Sequence, residues 1–316
     1  MQILITGGAG YIGSVIAERF VQQKHVIVIL DDLSTGKREL INEAAIFVKG
    51  SILNKALLNQ IFQQHKFDLV IHCAAKTVVS ESVVKPKLYY QHNVVGTQNI
   101  LDCMQKHGCN NLIFCSSAAV YGCAKENLIS ETSVKKPCNP YGQTKLQAER
   151  LIQKAKVNYF IFRFFNVAGA SRSLKYGMMK KKLTLLIPSA NQMISKGKTP
   201  TIYGNHYRTK DGTCIRDYVH VEDLATACLL VLPQLKKNQS GIYNLGSGKG
   251  YSVLEIIKLV CQINNVEFKY VVKPNRHGDP PILVTAINKA MQELGWKPKY
   301  SIKEIIKSDY LFRNQL

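Results

Sequence analysis

The sequence predicts an α/β fold, a doubly wound parallel sheet with a smaller C-terminal α/β lobe. Three observations carry that reading. Apolar runs of strand length alternate with helix-period segments through the first 165 residues, the pattern of a parallel sheet covered by helices on both faces. A glycine cluster, Gly7, Gly8, Gly10 and Gly13, joins the first strand to the first helix. Beyond Asn166 the segments shorten, and proline and glycine become more frequent.

Gln2–Thr6 is an apolar run that reads as a buried strand, and Tyr11–Val21 is the helix that follows the glycines. His25–Leu30 is a second strand, closed by Asp31, and Ala45–Val48 a third. Leu53–His65 places Leu57, Leu58, Ile61 and Phe62 on one helical face. Asp68–Cys73 is the fourth strand, Pro86–His107 holds a long helix, and Asn111–Cys115 is the fifth strand. Asn139–Lys154 reads as a helix and Val157–Arg163 as the sixth strand. In the looser half, Thr201–Tyr203, Ile242–Leu245 and Phe268–Val272 read as strands between short helices. The expected division is a sheet domain over 1–165 and a substrate lobe over 166–316, with parts of 219–232 and 284–290 returning to the first domain. Ligands of such sheets sit beyond the carboxyl ends of the strands, which singles out Ala74–Ser82, Ser116–Gly122 and Phe165–Gly169.

The stretch Met1–Gly13 has the layout of a dinucleotide site. Gly8, Gly10 and Gly13 match G-x-G-x-x-G, and Gly7, Gly10 and Gly13 match the looser G-x-x-G-x-x-G. The first glycines permit a tight turn, Gly10 lets the backbone approach a pyrophosphate, and Gly13 lets the helix pack on the sheet. The helix N-terminus offers its unpaired N–H groups to the phosphates. Asp31 ends the second strand 18 residues after Gly13, where an acid holds a ribose diol and repels a 2′-phosphate. That points to NAD rather than NADP, with Lys37 and Arg38 softening the repulsion.

Composition bounds the rest. The 316 residues suffice for one large domain or two of ordinary size. At 46% hydrophobic and 20% charged, the chain is globular rather than disordered. No apolar run reaches bilayer length and no secretory signal is apparent, so a cytoplasmic protein with no membrane partner is expected. The nine cysteines contain no C-x-x-C pair, which favours a reducing compartment and provides no metal site. The net charge is +21, yet lysines occur singly or in short groups, the densest being Lys180–Lys182, and no nucleic-acid motif accompanies them. The charge is read as solubility and steering of an anionic substrate, with no nucleic-acid partner.

Tyr141 and Lys145 form a Y-x-x-x-K pair one helical turn apart. An unperturbed tyrosine titrates near pH 10 and is a poor base. A neighbouring ammonium and a bound nicotinamide cation both favour the phenolate, so the expectation is a Tyr141 lowered toward use as a general base. Ser116 and Ser117 end the fifth strand, where a hydroxyl can hold the oxygen that exchanges a proton with Tyr141. Taken alone, each is also an ordinary surface pair or a strand-ending serine. No G-x-S-x-G elbow is present, which disfavours a serine hydrolase.

These residues resemble the extended short-chain dehydrogenase/reductase family, a Rossmann-type family, and within it the UDP-hexose 4-epimerases. The resemblance runs through TGGAGYIGS at Thr6–Ser14, LDDLSTG at Leu30–Gly36, SES at Ser80–Ser82 and NVVGT at Asn93–Thr97. It continues through SSAAVYG at Ser116–Gly122, NPYGQTK at Asn139–Lys145 and RFFNVAGA at Arg163–Ala170. DGTCIRDYVHVEDLA at Asp211–Ala225, YNLGSG at Tyr243–Gly248 and RHGDP at Arg276–Pro280 complete it. The resemblance implies epimerisation at C4 of UDP-glucose or UDP-galactose, with the N-acetyl forms open, through a 4-keto sugar and with tightly held NAD. Ser117, Tyr141 and Lys145 are the implied catalytic residues. Implied NAD contacts begin with Gly7, Gly10, Tyr11, Ile12, Gly13, Asp31 and Asp32, then Ser51 and Ile52. They continue with Ala74, Ala75, Lys76, Asn93, Ser116, Tyr141, Lys145 and Phe165. Asn166, Leu186, Tyr203, Arg216 and Arg276 are implied to grip the UDP-sugar beside Ser117 and Tyr141, with Asp279 near the uridine ribose. The helices at Pro86–His107 and Asn139–Lys154 are implied to form a homodimer.

The chain departs from that pattern in places. An acidic Gly-Glu-Asp stretch is replaced by Gly177-Met178-Met179 and Lys180–Lys182, and a substrate-holding His or Asn by Leu185. Ser51 stands where an acid is usual, and Leu283 where some relatives carry a large aromatic, which leaves room for a 2-acetamido group. Dehydratases of the superfamily carry an Asp-Glu pair where this chain has Ala118 and Ala119. A dehydratase or 4-reductase, and a non-catalytic binder of NAD and UDP-sugar, are the competing expectations.

Overall fold

The apolar runs at the start of the chain become strands because both of their faces are buried. The computed structural model describes residues 1–122, 126, 128–180, 183–275 and 280–316. β1 (Gln2–Thr6), α1 (Tyr11–Gln22), β2 (Val26–Asp31), β3 (Ile46–Lys49), α2 (Lys55–Gln64) and β4 (Leu69–His72) come first. α3 (Val79–Val84), α4 (Pro86–Tyr90), a π-helical turn (Gln91–Val95) and α5 (Gly96–Lys106) lead to β5 (Asn111–Ser117), α6 (Pro140–Lys154) and β6 (Asn158–Phe164). The second half holds β7 (Asn166–Ala168), α7 (Leu186–Ser195), β8 (Thr201–Tyr203), β9 (Ile215–His220), α8 (Val221–Leu230), α9 (Leu232–Lys236) and β10 (Gly241–Leu245). β11 (Gly250–Ser252), α10 (Val253–Ile263), β12 (Val271–Lys273), β13 (Ile282–Leu283), α11 (Asn288–Leu294) and α12 (Ile302–Arg313) follow.

Seven strands form one parallel sheet in the order β10-β6-β5-β4-β1-β2-β3. The order reverses between β1 and β4, which opens a crevice beyond their carboxyl ends. Alternate residues of the strands serve the two faces. Ile3, Ile5, Ile27 and Ile29 pack with Val15, Ile16 and Phe20 of α1 and with Leu224 and Cys228 of α8. Leu4, Val28, Val70, Leu112 and Phe114 pack with Leu58 and Phe62 of α2, Ile100 and Met104 of α5 and Ile152 of α6.

β6 ends at Phe164 and β7 begins at Asn166, so the chain passes straight from the large sheet into a smaller one. There β9 pairs in parallel with β7 and β13 and antiparallel with β11, while β8 and β12 form a separate parallel pair. Ile187, Ile202, Tyr218, Ile256, Ile257 and Ile306 make the core of this lobe. No helix among the described residues is long and apolar enough to cross a membrane.

Three features differ from the sequence reading. Gly241–Leu245, read as part of the second lobe, is the edge strand of the large sheet, in register with Phe160–Phe164. That pairing is non-local, and local apolar pattern does not encode it. The helix read at Pro86–His107 is helical without a break from Pro86 to Lys106, but contains a wider π turn at Gln91–Val95, where the Asn93 side chain bonds to the backbone of Lys76. The strand read at Phe268–Val272 is displaced to Val271–Lys273, in register with Thr201–Tyr203.

Two buried histidines make stability depend on pH. His72 lies between hydroxyls, Nδ1 2.6 Å from Thr6 Oγ1 and Nε2 3.0 Å from Thr97 Oγ1, and burial pushes its pKa from the usual 6.5 to about 3. His220 caps α8 by accepting the Glu222 N–H, and burial pushes it to about 3 as well. Both rings are neutral in the fold but take a proton near pH 6.5 once unfolded, so each withdraws stability as pH falls from 6.5 toward 3. Burial pushes Asp217 and Asp223 up to about 6, and these oppose the decline between pH 6 and their usual 3.8. Comparison with His72→Asn isolates the ring. The fall in Tm between about pH 7 and about pH 4 is expected to be smaller in that variant than in the wild type. An equal fall in both would show that His72 is not a neutral buried group.

Candidate active site

The crevice at the strand reversal is lined by close backbone approaches. Gly7 has φ +71°, and a Cβ there would lie 2.6 Å from the Ala74 nitrogen. A Cβ on Gly13 would lie 2.3 Å from the Gly7 carbonyl oxygen, so only hydrogen fits between the turn and the helix. Gly10 is the N-cap of α1 and brings no side chain, and the first turn carries no acid. The N–H groups of Tyr11, Ile12 and Gly13 therefore lack intrahelical acceptors and lie in a positive helix terminus. These residues suit a diphosphate. The Tyr11 side chain does something else, donating to the Gly169 carbonyl at 2.6 Å and tying α1 to the end of β7.

Asp31 accepts the N–H groups of Ala9 (3.1 Å) and Leu33 (2.9 Å), and burial raises its pKa from the usual 3.8. Each carboxylate oxygen keeps a further lone pair for a ribose hydroxyl. Burial works against ionising Asp32 too, but hydrogen bonds from Ser34 and the nearby Lys76 bring its pKa below the usual value. Ser51 accepts the Leu53 N–H at 3.2 Å, and the Ile52 carbonyl accepts from Asn99 at 3.0 Å. Ala74 and Ala75 line the loop after β4, and Lys76 Nζ donates to Ser34 Oγ at 3.0 Å. Asn93 shapes this loop rather than facing a ligand with free donors. Its Oδ1 accepts the Lys76 N–H, and its Nδ2 donates to the Lys76 carbonyl and to Thr144 Oγ1.

The catalytic candidates come together where β5 meets α6. Asn139 caps α6 by accepting the Gly142 N–H at 2.9 Å, and Pro140 takes the first helical position, where a missing N–H costs nothing. A Cβ on Gly142 would lie 2.4 Å from the Ala119 carbonyl, so this glycine lets the helix sit against the turn after Ser117. Ser117 Oγ accepts the Ala119 N–H at 3.2 Å and lies near enough to the Tyr141 hydroxyl to favour its ionised form. Lys145 is buried, donates to the Cys115 carbonyl at 2.7 Å and lies 4.7 Å from the Phe114 ring centroid.

Within the chain alone, burial raises the Tyr141 pKa and outweighs the opposing influence of Ser117. Burial also lowers Lys145 from 10.5 to about 8, with Cys115, Cys73 and Glu149 working the other way. Burial thus favours the uncharged forms of both groups. Ser116, implied as a cofactor contact, donates its hydroxyl to Glu149 Oε1 at 2.5 Å.

Phe165 packs in an apolar cluster with Ala118, Val120, Ile129 and Leu146, and Leu283 rests on the same cluster. Leu283 is in register with Arg216. Asn166 opens β7 and donates to the Asp217 carbonyl at 2.8 Å, and Arg216 Nη1 donates to the Ile215 carbonyl at 2.9 Å. Tyr203 ends β8, and Leu186 opens α7, whose N-cap Leu185 supplies no side-chain hydrogen bond. Lys180 reaches across from the second lobe to donate to Thr77 Oγ1 at 3.1 Å. Arg276 and Asp279, like Lys181 and Lys182, lie outside the described residues. Sequence reasoning missed Gly142, and also Tyr89, which meets the Tyr141 ring edge-on at 6.5 Å while bonding to both backbone groups of Val78. The Asn-Pro-x-Gly spacing was the available signal for Gly142. Among the described residues no cluster of His, Cys, Asp and Glu could hold a metal ion.

Comparison with known proteins agrees with this geometry. A model of the NAD dependent epimerase/dehydratase family matches residues 3–246. The UDP-glucose 4-epimerase of Lactobacillus helveticus is 41% identical over 95% of this chain and 93% of its own. The UDP-glucose 4-epimerase of Bifidobacterium longum, solved in complex with NAD+ and UDP, superimposes with a TM-score of 0.93 at 32% identity, covering 100% of this chain and 98% of its own. The UDP-Glc/GlcNAc 4-epimerase of Campylobacter jejuni superimposes with a TM-score of 0.86 at 38% identity, covering 100% of this chain and 99% of its own.

The glycine contacts make a specific prediction. Gly13→Ala places a methyl group 2.3 Å from Gly7 O and 2.9 Å from Gly8 Cα, both backbone atoms, so the turn must move. The variant is expected to keep its far-ultraviolet circular dichroism but release little or no nicotinamide nucleotide on acid precipitation. Nucleotide retained at the wild-type ratio would refute the assignment of this turn.

Proposed function

The chain belongs to the NAD dependent epimerase/dehydratase family, and from that premise we propose that it interconverts the C4 epimers of a UDP-hexose, UDP-glucose and UDP-galactose first, with NAD as its resident cofactor. The observation that carries the reading is Ser117 at the end of β5 beside Tyr141 in the first turn of α6, with Lys145 one turn along the same helix. The turn at Gly7–Gly13 and the first N–H groups of α1 would hold the cofactor's diphosphate, and Asp31 a ribose. When bound, NAD supplies a reversible two-electron acceptor for C4, so no external reductant is consumed.

Tyr141 takes the proton of the 4-hydroxyl and later returns it, while Ser117 holds the same oxygen. Lys145 keeps an ammonium on that helix face and favours the phenolate as it forms. The 4-keto sugar turns about its diphosphate tether before the proton is returned. Asn166, Leu186, Tyr203 and Arg216 are placed in the second lobe or at its edge and would grip the UDP. Arginine suits a diphosphate because its planar fork donates two parallel bonds. Arg276 and Asp279 are proposed for the same grip by resemblance alone. We assign cofactor binding to 1–165 with the packed-back α8 and β10, and UDP-sugar binding to the remainder.

Elimination of water needs an acid and a base beside the sugar, and Ala118 and Ala119 provide neither, which disfavours a 4,6-dehydratase. A homodimer through the α4–α5 segment and α6, acting in the cytoplasm, completes the reading. Leu283 extends it to N-acetylated substrates, since a leucine leaves more room on the apolar cluster than an aromatic ring.

Two assays test this. Incubation with UDP-galactose and no added reductant is expected to yield UDP-glucose, and Tyr141→Phe is expected to abolish turnover while retaining bound nucleotide. A product lacking the 6-hydroxyl would overturn the reaction assigned, and substrate binding without conversion would establish a non-catalytic binder. In parallel, UDP-N-acetylgalactosamine is expected to be converted by the wild type but not by Leu283→Tyr, with UDP-galactose turnover kept. Equal loss of both activities would remove Leu283 from the specificity argument.

A further inference from the structure

Three successive turns of one helix face are tied to the strands beneath the site. α6 carries Tyr141, Lys145 and Glu149 at four-residue spacing, so they share one stripe. The far end of that stripe is a buried ion pair, Glu149 to Arg163 of β6 at 2.7 Å, with each side chain 2% exposed. Ser116 of β5 is the register partner of Arg163. Glu149 Oε1 accepts from Ser116 Oγ at 2.5 Å and from Arg163 Nε at 3.0 Å, while Oε2 accepts from Arg163 Nη2. Arg163 Nη1 donates to the Tyr121 hydroxyl at 2.8 Å, which donates in turn to Asn244 Oδ1 of β10 at 2.6 Å. Tyr121 closes the short turn Ala118–Val120, which is capped by Ser117. One guanidinium therefore anchors both the helix that carries Tyr141 and the turn that follows Ser117.

We propose that Arg163, Glu149 and Ser116 form a positioning set that fixes α6, and with it Tyr141, relative to Ser117 at the end of β5, a role that rests on the proton transfer assigned above. None of the three touches the reacting atoms. A buried ion pair stabilises a fold little compared with apolar side chains of the same volume, because both charges are stripped of water. What it adds is direction, since a bidentate guanidinium–carboxylate contact tolerates little sliding or rotation. A slip of α6 along β5 by about 1 Å would carry Tyr141 out of place relative to Ser117, and misplacement of that size costs about a hundredfold in rate.

The test uses the full NAD-loaded chain carrying Ser116→Ala, which keeps the ion pair, and separately Arg163→Lys. Each is assayed well below its own Tm, with bound nucleotide quantified after acid release. For both variants kcat is expected to fall about tenfold or more, while KM and nucleotide content stay within about twofold of the wild type. An unchanged kcat, or one that falls only in step with nucleotide content, overturns the proposal. A second measurement needs no turnover. Ultraviolet titration of tyrosinate, taken as the difference between each chain and its Tyr141→Phe counterpart, follows Tyr141 alone, with Lys145, Cys115 and Tyr89 common to both. Moving Tyr141 away from Ser117 shifts that titration to higher pH, because Ser117 opposes the upward push of burial. A titration that stays in place overturns the proposal. A wild-type chain that binds nucleotide without epimerising would sink the assigned reaction, and the titration would still decide this one.

Discussion

Burial of Tyr141 and Lys145 at the junction of β5 and α6 is the constraint from which the rest of the site follows. A phenol removed from water resists ionisation and an amine removed from water resists protonation. Both tendencies are visible, Tyr141 raised and Lys145 brought down to about 8. The chain itself offers limited compensation, chiefly Ser117 near Tyr141 and the thiols and carboxylate near Lys145. A base of this kind is therefore weak until another positive charge enters the crevice. A nicotinamide ring would supply that charge, which couples proton removal to the presence of the cofactor. Such coupling protects a redox-neutral reaction, because a substrate oxygen is not deprotonated where no acceptor for its electrons is held.

The fold was legible in proportion to how local its causes are. The glycine turn could be read because its requirement is steric and contiguous: Gly7 must adopt φ +71° and Gly13 must leave space for the Gly7 carbonyl. The inner strands could be read because burial on both faces demands unbroken apolar runs. β10 could not be placed, since its partner β6 lies far away in sequence and its own pattern suits either sheet. The π turn escaped notice because its cause is tertiary, the reach of Asn93 to the Lys76 backbone.

The same distinction runs through the site. Tyr141, Lys145 and Ser117 were legible as types at a spacing, but their protonation was not, because spacing carries no information about desolvation. Ser116 adjoins Ser117, and neighbouring residues of a strand face opposite ways. Its hydroxyl turns to Glu149, a carboxylate whose importance no motif announces. Gly142 was hidden in plain view, since its reason is the Ala119 carbonyl across the helix face.

The two ends of the crevice also differ in character, and that difference bears on the reaction. Ala118, Val120 and Phe165 pack into a buried apolar cluster after Ser117, with Leu283 resting on it. Such a cluster offers a polar ligand few hydrogen bonds. The second lobe meets the crevice through polar groups instead, Asn166 and Arg216 among them, held by the β7–β9 pairing and the backbone around Asp217. Firm contact at the nucleotide and weak contact at the sugar are what a ring needs if it is to present both faces to one fixed acceptor. Alanine at positions 118 and 119 supplies neither the acid nor the base that elimination of water requires.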